Sequence, residues 1–171
     1  MKPFRCQICS ETYLGDFAPD RCPFCGAVGS YLLSLPEYIE YGAVELSTSS
    51  REFCRQALEL EAEDIALYRR AAERSDHPVI AGLFQAVGGQ RQRHLETVAR
   101  LAGIAPPTPL EVEDNHEEGS DYLAQAHDRA FQAGRLYLEI ARQAPEGRVK
   151  EVFRALADAA VEHYKLFNLY R

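Results

Sequence analysis

Two C-x-x-C pairs, Cys6-Gln7-Ile8-Cys9 and Cys22-Pro23-Phe24-Cys25, stand twelve residues apart near the head of the chain. Each C-x-x-C turn aims two thiols at one point. Two such turns face to face make a tetrahedral cage of four sulfurs, a geometry that suits Zn²⁺ or iron. A segment this short cannot bury enough apolar surface to fold alone, so metal binding would supply much of its folding free energy. Structural disulfides are not expected of an intracellular chain. The fifth cysteine, Cys54, shares a helical face with Ala57 and Leu58 and reads as a small buried hydrophobe rather than a reactive thiol.

Composition sets the class of the remainder. Hydrophobic residues make up 46% and charged residues 26% of 171 residues, a soluble globular balance. No run approaches the roughly 18 apolar residues of a membrane span, and the first residues, Met1 to Cys6, lack the apolar region of a secretory signal. A cytoplasmic protein without a membrane partner is expected. The net charge is −7, and residues 1–46 set Lys2, Arg5 and Arg21 against Glu11, Asp16, Asp20, Glu37, Glu40 and Glu45. A negative ribbon has no electrostatic drive toward phosphates, so nucleic acid is not an expected partner.

Residues 1 to about 35 read as a small β knuckle, broken by the turn signals Gly15-Asp16, Ala18-Pro19-Asp20 and Gly26, with Phe4, Tyr13 and Phe24 as a miniature apolar core. Residues 36–50 form a connector ending in Ser and Thr. The apolar period then becomes 3.6. Ser49 or Ser50 can cap a helix to about Arg74. Asp76-His77-Pro78 opens a second helix that Gly103 closes. A third runs from near Ser120 to Ala144, and Pro145-Glu146-Gly147 separates it from a fourth ending at Leu169 or Tyr170. Four helices of roughly 22 to 25 residues span about 35 Å each. Two short connections and one long one fit a four-helix bundle with a single crossover. The long connection holds Pro106, Pro107, Pro109 and the acidic run Glu111–Glu118 with His116, and reads as a solvated loop. The expected division is residues 1–46 for the metal-binding unit and its linker, and residues 47–171 for the bundle; the fold class is mostly α.

Several polar residues fall on apolar helical stripes. Glu61 and Asp64 lie among Phe53, Ala57, Leu60, Ile65 and Tyr68; Arg91 and His94 share a face with Phe84, Val87 and Val98; His163 is flanked by Ala159 and Leu166. A buried charge without a partner costs several kcal/mol, on the order of the desolvation of one ion. Two accounts would meet that cost. Glu61, His94 and His163 could hold a metal from three helices. Alternatively, Glu61 pairs with Arg91 while the histidines bond backbone or tyrosine partners.

A cage of this spacing joined to a four-helix bundle resembles the rubrerythrins, and its N-terminal position resembles the reverse rubrerythrins. The likeness implies a rubredoxin-like N-terminal domain, a ferritin-like bundle, and a homodimer. It also implies peroxide reduction in oxidative stress, by electrons passed through an Fe(Cys)₄ centre from a redox partner protein. Ser10 stands where a glycine usually follows the first pair. Residue by residue, Glu61 and Tyr68 match the first-helix glutamate and its tyrosine, and His94 and His163 match the histidines of the second and fourth helices. Arg91, Arg129, Gln132 and Ala160 stand where the family has glutamates. A di-iron centre needs those carboxylates as ligands and as counter-charge, and arginine would repel the cations. The expectation is therefore a metal at Cys6, Cys9, Cys22 and Cys25, with iron implied by the resemblance and zinc as the alternative. Any second metal would rest on Glu61, His94 and His163 alone. Two functions follow: an electron-transfer protein whose peroxidase site is largely lost, or a zinc-knuckle interaction protein with a metal-free bundle.

Overall fold

The structure is a computed structural model, and it describes residues 1–107 and 121–171. The acidic run and His116 lie outside the described residues. Three short strands, β1 (Lys2–Cys6), β2 (Thr12–Gly15) and β3 (Leu32–Ser34), make an antiparallel sheet in the order β2-β1-β3. Phe4 pairs with Tyr13 on one side of β1, and Cys6 pairs with Leu32 on the other. Phe4, Tyr13 and Phe24 are partly buried against the main core, so the miniature core is part of a larger one.

Four helices follow: α1 (Thr48–Arg74), α2 (Pro78–Ala102), α3 (Tyr122–Gln143) and α4 (Gly147–Tyr170). Pro78 opens α2, and Gly103, at φ 67°, closes it in the left-handed conformation that glycine adopts freely. The cap of α1 is Ser47 rather than Ser49 or Ser50, its hydroxyl accepting from the Ser50 N–H at 3.2 Å. Glu146, just before α4, explains the choice, because its carboxylate accepts from the Ser47 N–H and the Ser50 hydroxyl, each at 2.5 Å. The starts of two helices are thereby tied together.

α1 packs on α2 and α3, while α4 packs on α3 and α2. Consecutive helices α2 and α3 thus stand across a diagonal, as the single long crossover requires. The bundle has two apolar clusters. One, at the far end, gathers Tyr68, Phe84 and Phe167, with ring centroids 5.6–6.0 Å apart. The other is continuous with the N-terminal unit, running from the four cage cysteines and Ile8 through Leu46 to Leu95, Val98, Val152 and Leu156. No helix among the described residues is long and apolar enough to cross a membrane.

Polar contacts fasten the small unit to the helices along the same seam. Arg21 pairs with Asp158 at 2.7 Å and Arg93 with Glu11 at 2.7 Å. Two arginines hold the first cysteine turn by its backbone: Arg100 donates to the Cys9 carbonyl at 3.0 Å, and Arg148 to the Gln7 carbonyl at 2.5 Å. The Gln7 amide in turn clasps the linker, donating to the Ile39 carbonyl at 2.5 Å and accepting from the Ile39 N–H at 3.3 Å.

Candidate metal centre

The two cysteine turns are built alike. In the first, the Ser10 N–H bonds the Cys6 carbonyl at 2.9 Å; in the second, the Gly26 N–H bonds the Cys22 carbonyl at 2.8 Å. Each turn ends in a left-handed residue, Ser10 at φ 64° and Gly26 at φ 72°. That conformation costs a residue with a Cβ roughly 1–2 kcal/mol, which accounts physically for a glycine after each pair and marks Ser10 as the exception.

All four thiols are at most 1% exposed, and their Sγ atoms lie within 4.8 Å of one another. Cys6 and Cys25 approach to 3.8 Å, as do Cys9 and Cys22. A tetrahedron with metal–sulfur bonds of about 2.3 Å has edges of about 3.8 Å, so the donor set fits a single tetrahedral Zn²⁺ or iron ion. Hydrogen bonding to Cys22 and the other thiols, with burial, raises the Cys25 thiol far above its ordinary range, while hydrogen bonds from Cys25, Cys6 and Cys9 lower that of Cys22. Four thiolates this close require a cation to deprotonate together. Cys54 lies apart from them, fully buried, and burial with Glu146 nearby pushes its thiol up to about 11.

Behind the cage the bundle encloses a second polar cluster. Arg91, from α2, is fully buried. Its Nε lies 3.2 Å from Glu61 Oε2, one terminal nitrogen is 3.3 Å from Glu61 Oε1, and the other bonds Asp64 closely. Arg129, from α3, also holds Asp64 closely and reaches Glu63 at 2.8 Å. The Tyr137 hydroxyl donates to Glu61 in a short bond. Burial works to raise the Glu61 carboxyl, but Arg91, aided by His94 and Tyr137, outweighs it and holds the group below its ordinary value. Two buried carboxylates therefore face two guanidiniums, and the charge is balanced within the protein.

The structure brings Glu61 and His94 together but leaves His163 separate. His94 Nδ1 is 3.2 Å from Glu61 Oε1, and Nε2 is 2.7 Å from the Cys25 carbonyl oxygen. Both ring nitrogens are thus directed at oxygen acceptors. The His163 ring is roughly parallel to that of His94 at 6.0 Å, but its Nε2 bonds Gln90 at 2.8 Å. Burial, with Arg91 and His94 nearby, lowers the His163 pKa well below its usual value. Among the described residues, the cysteine set is the one group of three or more His, Cys, Asp or Glu side chains close enough to hold a metal. Glu61 pairs with Arg91 and His94 reaches a backbone carbonyl, while His163 bonds the Gln90 side chain instead of a backbone or tyrosine partner.

Arg129 faces the carboxylates and Ala160 is fully buried, but Gln132 is exposed. The inward face of α3 follows Ala126, Ala130, Ala133 and Tyr137, a helical stripe that leaves position 132 outside. Among the described residues, the buried Tyr68 hydroxyl has no hydrogen-bond partner. Gln90 and the Cys25 carbonyl were not legible as partners of the histidines. Gln90 does lie four residues before His94, on the same side of α2, but a backbone oxygen leaves no mark in sequence.

Residues 4–32 match the family described as the rubredoxin-like domain of rubrerythrin. Over 114 residues the chain is 26% identical to reverse rubrerythrin-1 of Clostridium acetobutylicum, a match covering 60% of this chain and 63% of that protein. The chain thus matches less than two thirds of its relative's length. A hypothetical protein of Pyrococcus furiosus shares the fold with a TM-score of 0.61, at 16% identity, over 72% of this chain and 88% of that one. The N-terminal unit is accordingly a rubredoxin-like domain of the rubrerythrin type, and the bundle is ferritin-like. The cysteine cage precedes the bundle, and the chain is similar in sequence to a reverse rubrerythrin.

Proposed function

We propose that this protein is an electron carrier, holding one iron at Cys6, Cys9, Cys22 and Cys25 beside a bundle that has given up its di-iron chemistry. One contrast carries the reading. The cage offers four buried thiols with no counter-charge of their own, whereas the bundle's carboxylates are already neutralised by Arg91 and Arg129. Cations added to a balanced buried cluster would leave uncompensated charge there, at a cost of several kcal/mol per ion, by order of magnitude. The cage, by contrast, needs a cation before its thiols can ionise together.

Iron bound by four thiolates supplies a one-electron couple whose ligand geometry changes little between oxidation states. The protein's part is to keep the thiols dry and the turns fixed, through the Arg100 and Arg148 bonds to the loop carbonyls. His94 stands between the Cys25 carbonyl and Glu61 with a ring nitrogen within hydrogen-bond reach of each, so a polar path runs from the cage into the bundle and ends on the Arg91 ion pair. On this reading the electrons come from, and return to, a redox partner protein. The continuous core between the two units favours a second reading, in which zinc fills the cage and serves structure alone.

The test is metal analysis and a visible spectrum before and after dithionite, on protein produced with both iron and zinc available. The carrier reading expects about one iron per chain and thiolate charge-transfer bands that bleach on reduction. Colourless protein with zinc alone, also when taken from its native host, would overturn it in favour of the structural reading. Further iron that is lost in His94 or His163 variants would restore a bundle site and defeat the claim that its chemistry is gone.

A further inference from the structure

Beside the first cysteine turn lies a cleft of about 420 Å³, a size typical of small-molecule sites. Its walls come from parts of the chain far apart in sequence: Arg5 and the cage loop, the linker from Tyr38 to Val44, and the faces of α2 and α4. The floor is apolar, made by Ile8, Val44, Leu101 and Val152. The rim carries three arginines, Arg5, Arg100 and Arg148.

These arginines are held in place, and two of them have charge to spare. Arg5 lies over the Tyr38 ring at 4.7 Å and Arg148 over the Tyr41 ring at 4.0 Å. Arg5 donates through Nε to the Ser10 carbonyl at 3.2 Å, and Arg100 through one terminal nitrogen to the Cys9 carbonyl. Arg148 is paired with Glu151 at 2.7 Å, whereas neither Arg5 nor Arg100 has a carboxylate partner among the described residues. Among the described residues, Glu40 is the one acidic residue in the lining, and it is exposed. The described lining is therefore positive on a chain of net charge −7, an arrangement that concentrates anions at one place. Backbone-anchored guanidiniums are also pre-organised for phosphate or carboxylate.

We propose that this cleft binds a small organic anion, an aromatic or apolar body carrying a phosphate or carboxylate. The body would rest on Ile8, Val44, Leu101 and Val152, and the anionic group would take the free guanidinium nitrogens of Arg5 and Arg100. The linker forms one wall, held there by the Gln7–Ile39 clasp and by the Tyr38 hydroxyl, which donates to Ser10 at 3.3 Å. The ligand would thus sit against the backbone of the cage. The proposal stands apart from the electron-carrier reading, since binding needs the folded cage but not iron.

The experiment is calorimetric titration of the zinc-loaded full chain with four probes: 1-naphthyl phosphate, AMP, adenosine and inorganic phosphate. The expected result is saturable binding of at least one organic phosphate, at least ten-fold tighter than adenosine or inorganic phosphate. Arg5→Gln and Arg100→Gln should each weaken it ten-fold or more, while Arg142→Gln, outside the cleft, leaves it unchanged. Because Arg100 also braces the cage loop, Ala43→Phe provides a second variant that fills the cleft from the exposed linker while every arginine stays in place; it should abolish binding with zinc content unchanged. No saturation by either organic phosphate overturns the proposal. So does equal binding by inorganic phosphate, or parental affinity in the arginine and Ala43 variants.

Discussion

Ser10 and Gly26 occupy equivalent places in two equivalent turns, and only one of them has a side chain. Ser10→Gly should therefore raise the stability of the metal-loaded protein by up to about 1 kcal/mol, the gain reduced by the lost contact to Tyr38 and by the freer unfolded chain. Gly26→Ala should do the reverse. A Cβ there would lie 2.8 Å from Gln90 Oε1 and 3.2 Å from the Ala159 Cβ, in a left-handed backbone, so a loss of about 2 kcal/mol is expected. Thermal melts of the two variants, with metal content checked, read both effects. Arg91 sets a larger stake. Arg91→Leu would leave Glu61 and Asp64 buried beside a single remaining guanidinium, at a cost of about 3–5 kcal/mol in denaturant unfolding. Adding Glu61→Gln and Asp64→Asn should recover much of that loss.

Acid titration of stability follows from the same residues. The Glu61 carboxyl lies below its ordinary value in the folded state, so its contribution is fully present above roughly pH 4.3, the free glutamate value. It is lost as pH falls from there through the folded value. His163 has its proton affinity lowered by burial, so the unfolded chain binds that proton first and stability declines as pH drops below about 6.5. Unfolding measured from pH 7.5 to 5 should show that decline, and His163→Phe should flatten it.

Among the elements, helix ends were the most legible. Pro78, Gly103 and the Pro145-Glu146-Gly147 break act through their own backbone chemistry, and the observed ends fall within about two residues of those read from sequence, well inside the usual uncertainty of boundaries. The start of α1 differed because Glu146, ninety-nine residues away, selects Ser47 as the cap. Long-range contacts of this kind have no local signature. The buried Glu61–Arg91 pair was readable because both residues break apolar stripes, whereas the His94 bond to Cys25 arises only when the β unit docks on α2. Arg148 is one of the polar side chains that fasten the β unit to the helices. Arg148→Gln removes the bond to the Gln7 carbonyl, the ion pair with Glu151 and the stacking on Tyr41. Limited proteolysis should then cut the linker between residues 36 and 46 several-fold faster than in the parent, with the helical signal unchanged.

At the scale of the whole molecule, the two units share one apolar core, although composition and spacing alone describe them as separate pieces. Their joint burial means that stripping the metal reaches beyond the cage. Chelation should unfold residues 1–46, expose Leu95, Val98 and Val152, and lower the melting temperature of the helices, read by circular dichroism with and without chelator. Reloading the metal should restore both. A bundle that melted at the same temperature with and without metal would show the shared core to carry little energy.

The shared core also ties metal supply to the protein's lifetime. A chain that never acquires its ion presents an unfolded N-terminus and a bared strip of helix together, the features by which proteases select a substrate. Abundance of this protein would then follow the availability of its metal with no change in synthesis, and starvation for that ion would clear the empty chains first.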